Sequence, residues 1–185
     1  MTSPSPMRVL VAYASRSGST KGIAEFVGER LREHGAQVDV QGVEAGKNLA
    51  DYDAFVIGSA VYYYHWLKEA KQFISQNRNV LASRPVWIFS SGPTGPRATD
   101  KKGRDLKEVS GPKEIDELRQ MVNPRDHRVF FGAFYRDRLK GASSMFARWI
   151  PKDEEGDFRD WKEIGAWTDG IAEALSSPTA PPRHG

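Results

Sequence analysis

Four hydroxyls and one glycine crowd into Ser15-Arg16-Ser17-Gly18-Ser19-Thr20, near the start of the chain. An apolar run, Met7 to Ala14, leads into them. After them Ile23, Phe26, Val27 and Leu31 recur at helical spacing, with Gly35 as the stop. A buried strand feeding a small-residue loop at a helix N-terminus makes an anion site. First-turn N–H groups and the positive end of the helix dipole point at whatever sits there. Ser15, Ser17, Ser19 and Thr20 add donors without adding charge, which suits a phosphate. Taken alone, the loop also reads as an ordinary turn with Ser and Thr as N-caps. The assignment therefore depends on what else the fold brings to the same place.

The remaining elements follow from periodicity. Gln37 to Val43 alternates polar and apolar, as a half-buried strand does. Ala54 to Ala60 is a continuous apolar run, followed by the aromatic cluster Val61-Tyr62-Tyr63-Tyr64-His65-Trp66. A helix next presents Ala70, Phe73, Ile74 and Leu81 inward, and Pro85 to Ser91 reads as a buried strand. Gly92-Pro93-Thr94-Gly95-Pro96 opens a charged surface loop through Ser110. Gly111-Pro112 begins a helix with Ile115, Leu118 and Val122 facing inward. His127 to Phe134 is the fifth strand. The last helix starts at Asp160, with Glu163 three residues on as in a capping box, and its stripe is Trp161, Ile164, Ile171 and Leu175.

Strands alternating with helices, the inner strands apolar throughout, predict an α/β fold: a doubly wound five-stranded parallel sheet with helices on both faces. The ordered domain is expected over residues 7–175, with residues 1–6 and 176–185 as disordered tails. In such sheets a ligand sits beyond the carboxyl ends of the strands, at the switch point. Three loops meet there: hydroxyl-rich Ser15–Thr20, aromatic Ala60–Trp66, and Ser90–Pro96, where glycines let backbone groups approach a flat edge. A phosphate handle beside an aromatic slot describes a mononucleotide with a planar ring.

Composition sets outer bounds. The chain has 185 residues, 39% hydrophobic and 28% charged, with a net charge of +3 and no cysteine. That excludes a disulfide framework and a thiolate metal site, and gives the cytoplasm as the default compartment. No apolar run is long enough to span a bilayer. The mild positive charge favours anionic partners. A basic, aromatic insertion (135–158, turning acidic after Pro151) carries Arg136, Arg138, Lys140, Arg148 and Lys152 around Leu139, Met145, Phe146, Trp149 and Ile150. Its 135–152 part could lie on the inner, anionic face of a membrane. A solvated loop packed on the sheet or on a second copy of the chain is the alternative.

Tyr13-Ala14-Ser15-Arg16-Ser17-Gly18-Ser19-Thr20 resembles the flavodoxin phosphate-loop signature: an aromatic, a spacer, Ser/Thr, two residues, a small residue, a spacer, Thr. The likeness runs from about Met7 to Leu175 and implies strand order 2-1-3-4-5 with FMN at the switch point. Within that superfamily the chain is similar to the menaquinone-dependent protoporphyrinogen IX dehydrogenases. The likeness is carried by Asp51 to Gly58 running into Tyr63 and His65, by Val129 to Phe134, and by the insertion leading to Asp160-Trp161.

The resemblance implies that Ser15, Arg16, Ser17, Gly18, Ser19 and Thr20 hold the FMN phosphate. Ser59, Ala60, Val61, Tyr62, Tyr63 and His65 would flank the ring, and Ser91, Gly92, Thr94 and Gly95 its polar edge. It implies an FMN-dependent oxidoreductase acting between a porphyrinogen-like substrate and a quinone. The flavin carries the chemistry, so neither a catalytic acid/base pair nor a metal is expected, and nucleic acid is not an expected partner. A flavodoxin-type electron carrier docking to a redox protein is the alternative, although such carriers are acidic as a family. A flavin-free binding module is a third reading.

Related architectures fail on residues. A receiver domain needs acidic groups where Ala14, Ser15 and Ser59 stand. A P-loop needs a lysine that Gly18-Ser19-Thr20 lacks. A dinucleotide site needs G-x-G-x-x-G, which Ser17 to Thr20 does not supply.

Overall fold

A computed structural model describes residues 6–46, 48–138, 152 and 155–177. Its first half comprises β1 (Arg8–Ala14), α1 (Ser19–Glu33), β2 (Gln37–Gly42), β3 (Ala54–Tyr62), β4 (His65–Trp66) and α2 (Lys68–Ala82). The second half comprises β5 (Val86–Ser91), α3 (Leu106–Val109), α4 (Ile115–Val122), β6 (Asp126–Phe130), β7 (Ala133–Phe134), β8 (Gly156–Asp157) and α5 (Trp161–Ser176).

The main sheet runs β2-β1-β3-β5-β6, and every neighbouring pair on that path is parallel. This is the expected five-strand order. The numbering shifts because β4 folds back antiparallel on β3, while β7 and β8 form a separate antiparallel pair.

Alternation along the strands builds two cores. Leu10, Ala12, Phe55, Ile57 and Ile88 pack under α2 and α4, against Phe73, Ile74, Leu81 and Leu118. Val9, Val11, Val56, Trp87 and Phe89 pack under α1 and α5, against Ile23, Val27, Leu31, Ile164 and Trp167. Parallel strands buried on both faces read as unbroken apolar runs, which is why β1, β3 and β5 stand out in the sequence. Gly58 sits level with Phe89 across the β3–β5 ladder; a Cβ there would lie 2.0 Å from the Phe89 ring.

Several boundaries differ from expectation. The fifth strand stops at Phe130, because Phe131-Gly132 carries the chain over the head of α1 before β7. The charged loop before Ser110 contains α3 and a Thr99–Asp105 bridge. In α5 the buried aromatic is Trp167, 9% exposed, whereas Trp161 is 36% exposed and leans on Phe26 at 5.1 Å. Helix α5 also runs one residue into the expected tail, to Ser176. Residues 1–5, 178–185 and most of the insertion, including Leu139 to Pro151, lie outside the described residues. Among those described, no helix is long and apolar enough to cross a membrane, and no His/Cys/Asp/Glu group could hold a metal.

Candidate functional site

The loop after β1 is wound by its own hydroxyl. Ser15 Oγ accepts the Gly18 N–H at 3.1 Å, and Gly18 turns left-handed at φ 87°. Only glycine enters that region without a Cβ penalty. The turn delivers the first-turn amides of α1 to the carboxyl end of β1, and no acidic residue in that turn offsets the helix dipole. Thr20 is fully buried, and its Oγ1 has no hydrogen-bond partner. A buried hydroxyl left unpaired costs about 1–3 kcal/mol. Such a group at the head of a helix fits an anionic ligand that would accept its proton.

The crossing from β6 to β7 supplies the second wall. Ser19 Oγ accepts the Ala133 N–H at 2.8 Å and stands 3.4 Å from Ser91 Oγ. A Cβ on Gly132 would come within 3.2 Å of both hydroxyl oxygens, so glycine keeps this corner open. Arg159 braces the same turn. It donates to Ser19 O at 3.3 Å, pairs with Asp157, and stacks 4.5 Å over Trp161.

The third wall is the end of β3 and its hairpin. Val61 pairs with Trp66 and Tyr62 with His65, so Tyr63 and Tyr64 form a two-residue turn, at φ 51° and 66°. Type I′ turns of this kind favour Asn and Gly; two bulky side chains at positive φ mark a strained turn. The turn is held from outside. Lys113 donates its backbone N–H to Tyr64 O at 2.9 Å, and His65 Nδ1 lies 2.7 Å from Glu114 Oε1. Burial pushes the Glu114 carboxyl up. Hydrogen bonds from Lys71 (2.8 Å) and His65 outweigh that and bring it down to about 2. Arg16 stacks 5.5 Å over Tyr62.

Behind the cleft lies a buried polar chain. Ser90 Oγ accepts the Trp66 indole N–H at 2.8 Å and lies 2.9 Å from His127 Nε2. Burial and the nearby Arg119 hold His127 down at about 4, against a weaker opposing pull from Asp126. With His127 neutral, one hydrogen bond joins Nε2 and the Ser90 hydroxyl, its direction set by the imidazole tautomer.

These walls enclose a cleft of about 200 Å³ lined by Ser17, Ser19, Thr20, Ala60, Val61, Tyr62, Ser91, Gly92, Thr94, Gly132, Ala133 and Phe134. No carboxylate lines it. Of the residues expected from sequence, nine therefore come together here. Ser15, Arg16 and Gly18 shape the loop without lining the cleft. Ser59 is turned inward, donating to Ala60 O at 2.9 Å and accepting the Leu67 N–H at 3.1 Å. Tyr63 is 84% exposed and His65 is held by Glu114, so the structure sets both apart from the lining. Gly95 belongs to a neighbouring hollow. The sequence reading missed Gly132, Ala133, Phe134 and Arg159. The lone glycine inside an otherwise apolar strand pattern was the available sign of a close approach.

The flavodoxin domain family matches residues 10–160. The chain belongs to that family. A protoporphyrinogen IX dehydrogenase [quinone] of Escherichia coli (strain K12) is 24% identical over 183 residues, spanning 94% of this chain and 99% of that protein. One from Leishmania major is 27% identical over 175 residues, spanning 93% of this chain and 73% of the relative. Among solved structures, oxidised flavodoxin 2 from Bacillus cereus superposes with a TM-score of 0.60 at 22% identity, covering 90% of this chain and 99% of that one. This flavodoxin-domain protein shares its fold with the flavodoxins.

Proposed function

We propose that the cleft binds FMN and that the protein passes electrons between a reduced, porphyrinogen-like substrate and a quinone. The observation that carries the cofactor reading is Thr20 Oγ1, buried, unpartnered and lining a cleft at the head of α1. Ser17, Thr20 and the first-turn amides of α1 would hold the phosphate. Tyr62 and Val61 would cover one side of the ring system, and Ser91, Gly92 and Thr94 would meet its polar edge. When bound, the flavin supplies the redox chemistry. The chain's part is to bind, orient and shield: Ser19 and Arg159 fix the phosphate turn, and Gly132 keeps its corner clear. The substrate pair is supported by the names of the relatives at 24–27% identity.

Titrating the purified chain with FMN and recording the visible spectrum tests the cofactor. Anaerobic reduction, followed by menaquinone in one arm and oxidised porphyrin in the other, tests the electron path. Uptake of FMN with reoxidation by menaquinone is expected. A protein that takes up no FMN overturns the reading, and a bound flavin indifferent to menaquinone overturns the quinone half.

A further inference from the structure

The tip of the β3–β4 hairpin is built at a cost that packing does not explain. Tyr63 and Tyr64 stand at φ 51° and 66°, where Asn and Gly would sit without strain. Neither ring is there to fill the core. With Trp161 they are the large hydrophobic side chains left exposed among the described residues, Tyr63 at 84% and Tyr64 at 52%. The tip is nonetheless fixed on both sides. Toward the sheet, the Trp66 indole donates to Ser90 Oγ and the Leu67 N–H to Ser59 Oγ. Toward α4, Tyr64 O accepts the Lys113 N–H, and His65 and Lys71 share Glu114 Oε1. Strain that the surroundings enforce and the core does not use is a mark of functional elements. The three adjacent rings also differ. Tyr62 lines the cleft and has the Arg16 guanidinium 5.5 Å from its centre. Tyr64 has the Lys113 ammonium at 5.9 Å. Among the described residues no cation lies over the Tyr63 ring, and it stands bare.

We propose that the Tyr63 ring is a stacking platform for the quinone, holding an uncharged, flat, electron-poor ring one residue beyond the cleft that Tyr62 lines. This rests on the reading of that cleft as the flavin site. The electron-rich face of a phenol and the electron-poor face of a quinone attract in the offset stack that aromatic pairs prefer. The ligand needs no charge, because the cations on either side already lie over Tyr62 and Tyr64. Consecutive Cα atoms are about 3.8 Å apart, so a ring resting on Tyr63 arrives beside the cleft lining without having to enter it. The fixed turn also lowers the entropy lost on binding, since the ring is displayed in advance on a side chain with only two rotatable angles.

The test is equilibrium dialysis of the full FMN-loaded chain, its flavin oxidised, against 2-methyl-1,4-naphthoquinone; the chain has no cysteine for the quinone to alkylate. Tyr63→Asn removes the ring and suits φ 51°, so it should fold and bind the quinone about 2- to 12-fold more weakly, the span of one aromatic stack. Tyr63→Phe keeps the ring and should bind as the wild type does. Tyr64→Asn relaxes the same turn but leaves the Tyr63 ring, and should also bind as the wild type does. Cyclohexane-1,4-dione, which has the two carbonyls without the flat conjugated face, should not distinguish these proteins. Undiminished quinone binding by Tyr63→Asn overturns the proposal, and so does a wild type that binds no quinone. An equal loss in Tyr64→Asn or Tyr63→Phe, or a matching loss for the dione, overturns it as well. FMN uptake by each protein, measured in the same preparation, reports folding. Its failure in the wild type would refute the cofactor reading, while the comparison of Tyr63→Asn with the wild type still decides the platform.

Discussion

Thr20→Val offers a test in which two measurements must move in opposite directions. Valine keeps the shape of threonine and deletes Oγ1, the buried oxygen with no partner. In the cofactor-free protein that deletion removes an unsatisfied polar group worth about 1–3 kcal/mol of desolvation. The variant should therefore resist urea better, its midpoint rising while the slope stays constant. With FMN in the cleft the same oxygen would donate to a charged phosphate, a bond worth about 1.5–3 kcal/mol. Affinity should fall roughly 10- to 150-fold, at 1.4 kcal/mol per factor of ten. Urea titration of the apoprotein and fluorescence titration with FMN provide the two readouts. A variant that is less stable without cofactor, or that binds FMN as the wild type does, refutes the assignment of Thr20 to the phosphate.

Three further outcomes follow from the packing and the buried groups. Gly58→Ala drives a Cβ into the Phe89 ring and should destabilise the protein by about 1–3 kcal/mol, with partial recovery on adding Phe89→Leu, read as thermal midpoints. Tyr63→Asn/Tyr64→Gly gives the hairpin residues suited to φ 51° and 66° and should raise the urea midpoint; no rise would mean the turn carries no strain. His127 is held at about 4 when folded, so the folded state binds fewer protons than the unfolded one between that value and its ordinary 6.5. Its contribution is complete above pH 6.5 and is lost as pH falls toward 4. Stability measured across that interval should show a shallower decline in His127→Gln.

Local signals carried most of what the sequence made legible. The turn at Ser15–Gly18, the left-handed stop at Gly35 (φ 89°) and the Asp160 cap on the Glu163 N–H (3.0 Å) depend on neighbouring residues alone, and all are found where the pattern put them. The Ala70, Phe73, Ile74, Leu81 face of α2 is likewise the buried one. What escaped was set by residues far apart in the chain. Nothing near Trp167 says that it will meet Phe89 and Phe130 rather than solvent, at 6.0 and 5.4 Å. His65 and Tyr63 looked like ring partners because they follow β3. The antiparallel return of β4 instead swings one to Glu114 and the other outward. Most consequential is the crease at Phe131-Gly132, which makes a cleft wall out of what read as the end of a strand.

The hydrogen bond from Ala133 to Ser19 spans 114 positions of sequence. On the ribosome the hydroxyl loop emerges early, but the segment that closes over it follows only after roughly 6 to 23 seconds of further synthesis, at about 5–20 residues per second. A nascent chain cut short before Gly132 would already hold β1, β2, β3 and β5 yet lack one side of its cleft. The cleft is thus completed late in the life of each molecule, and a nascent fragment offers only part of the wall that the finished protein presents.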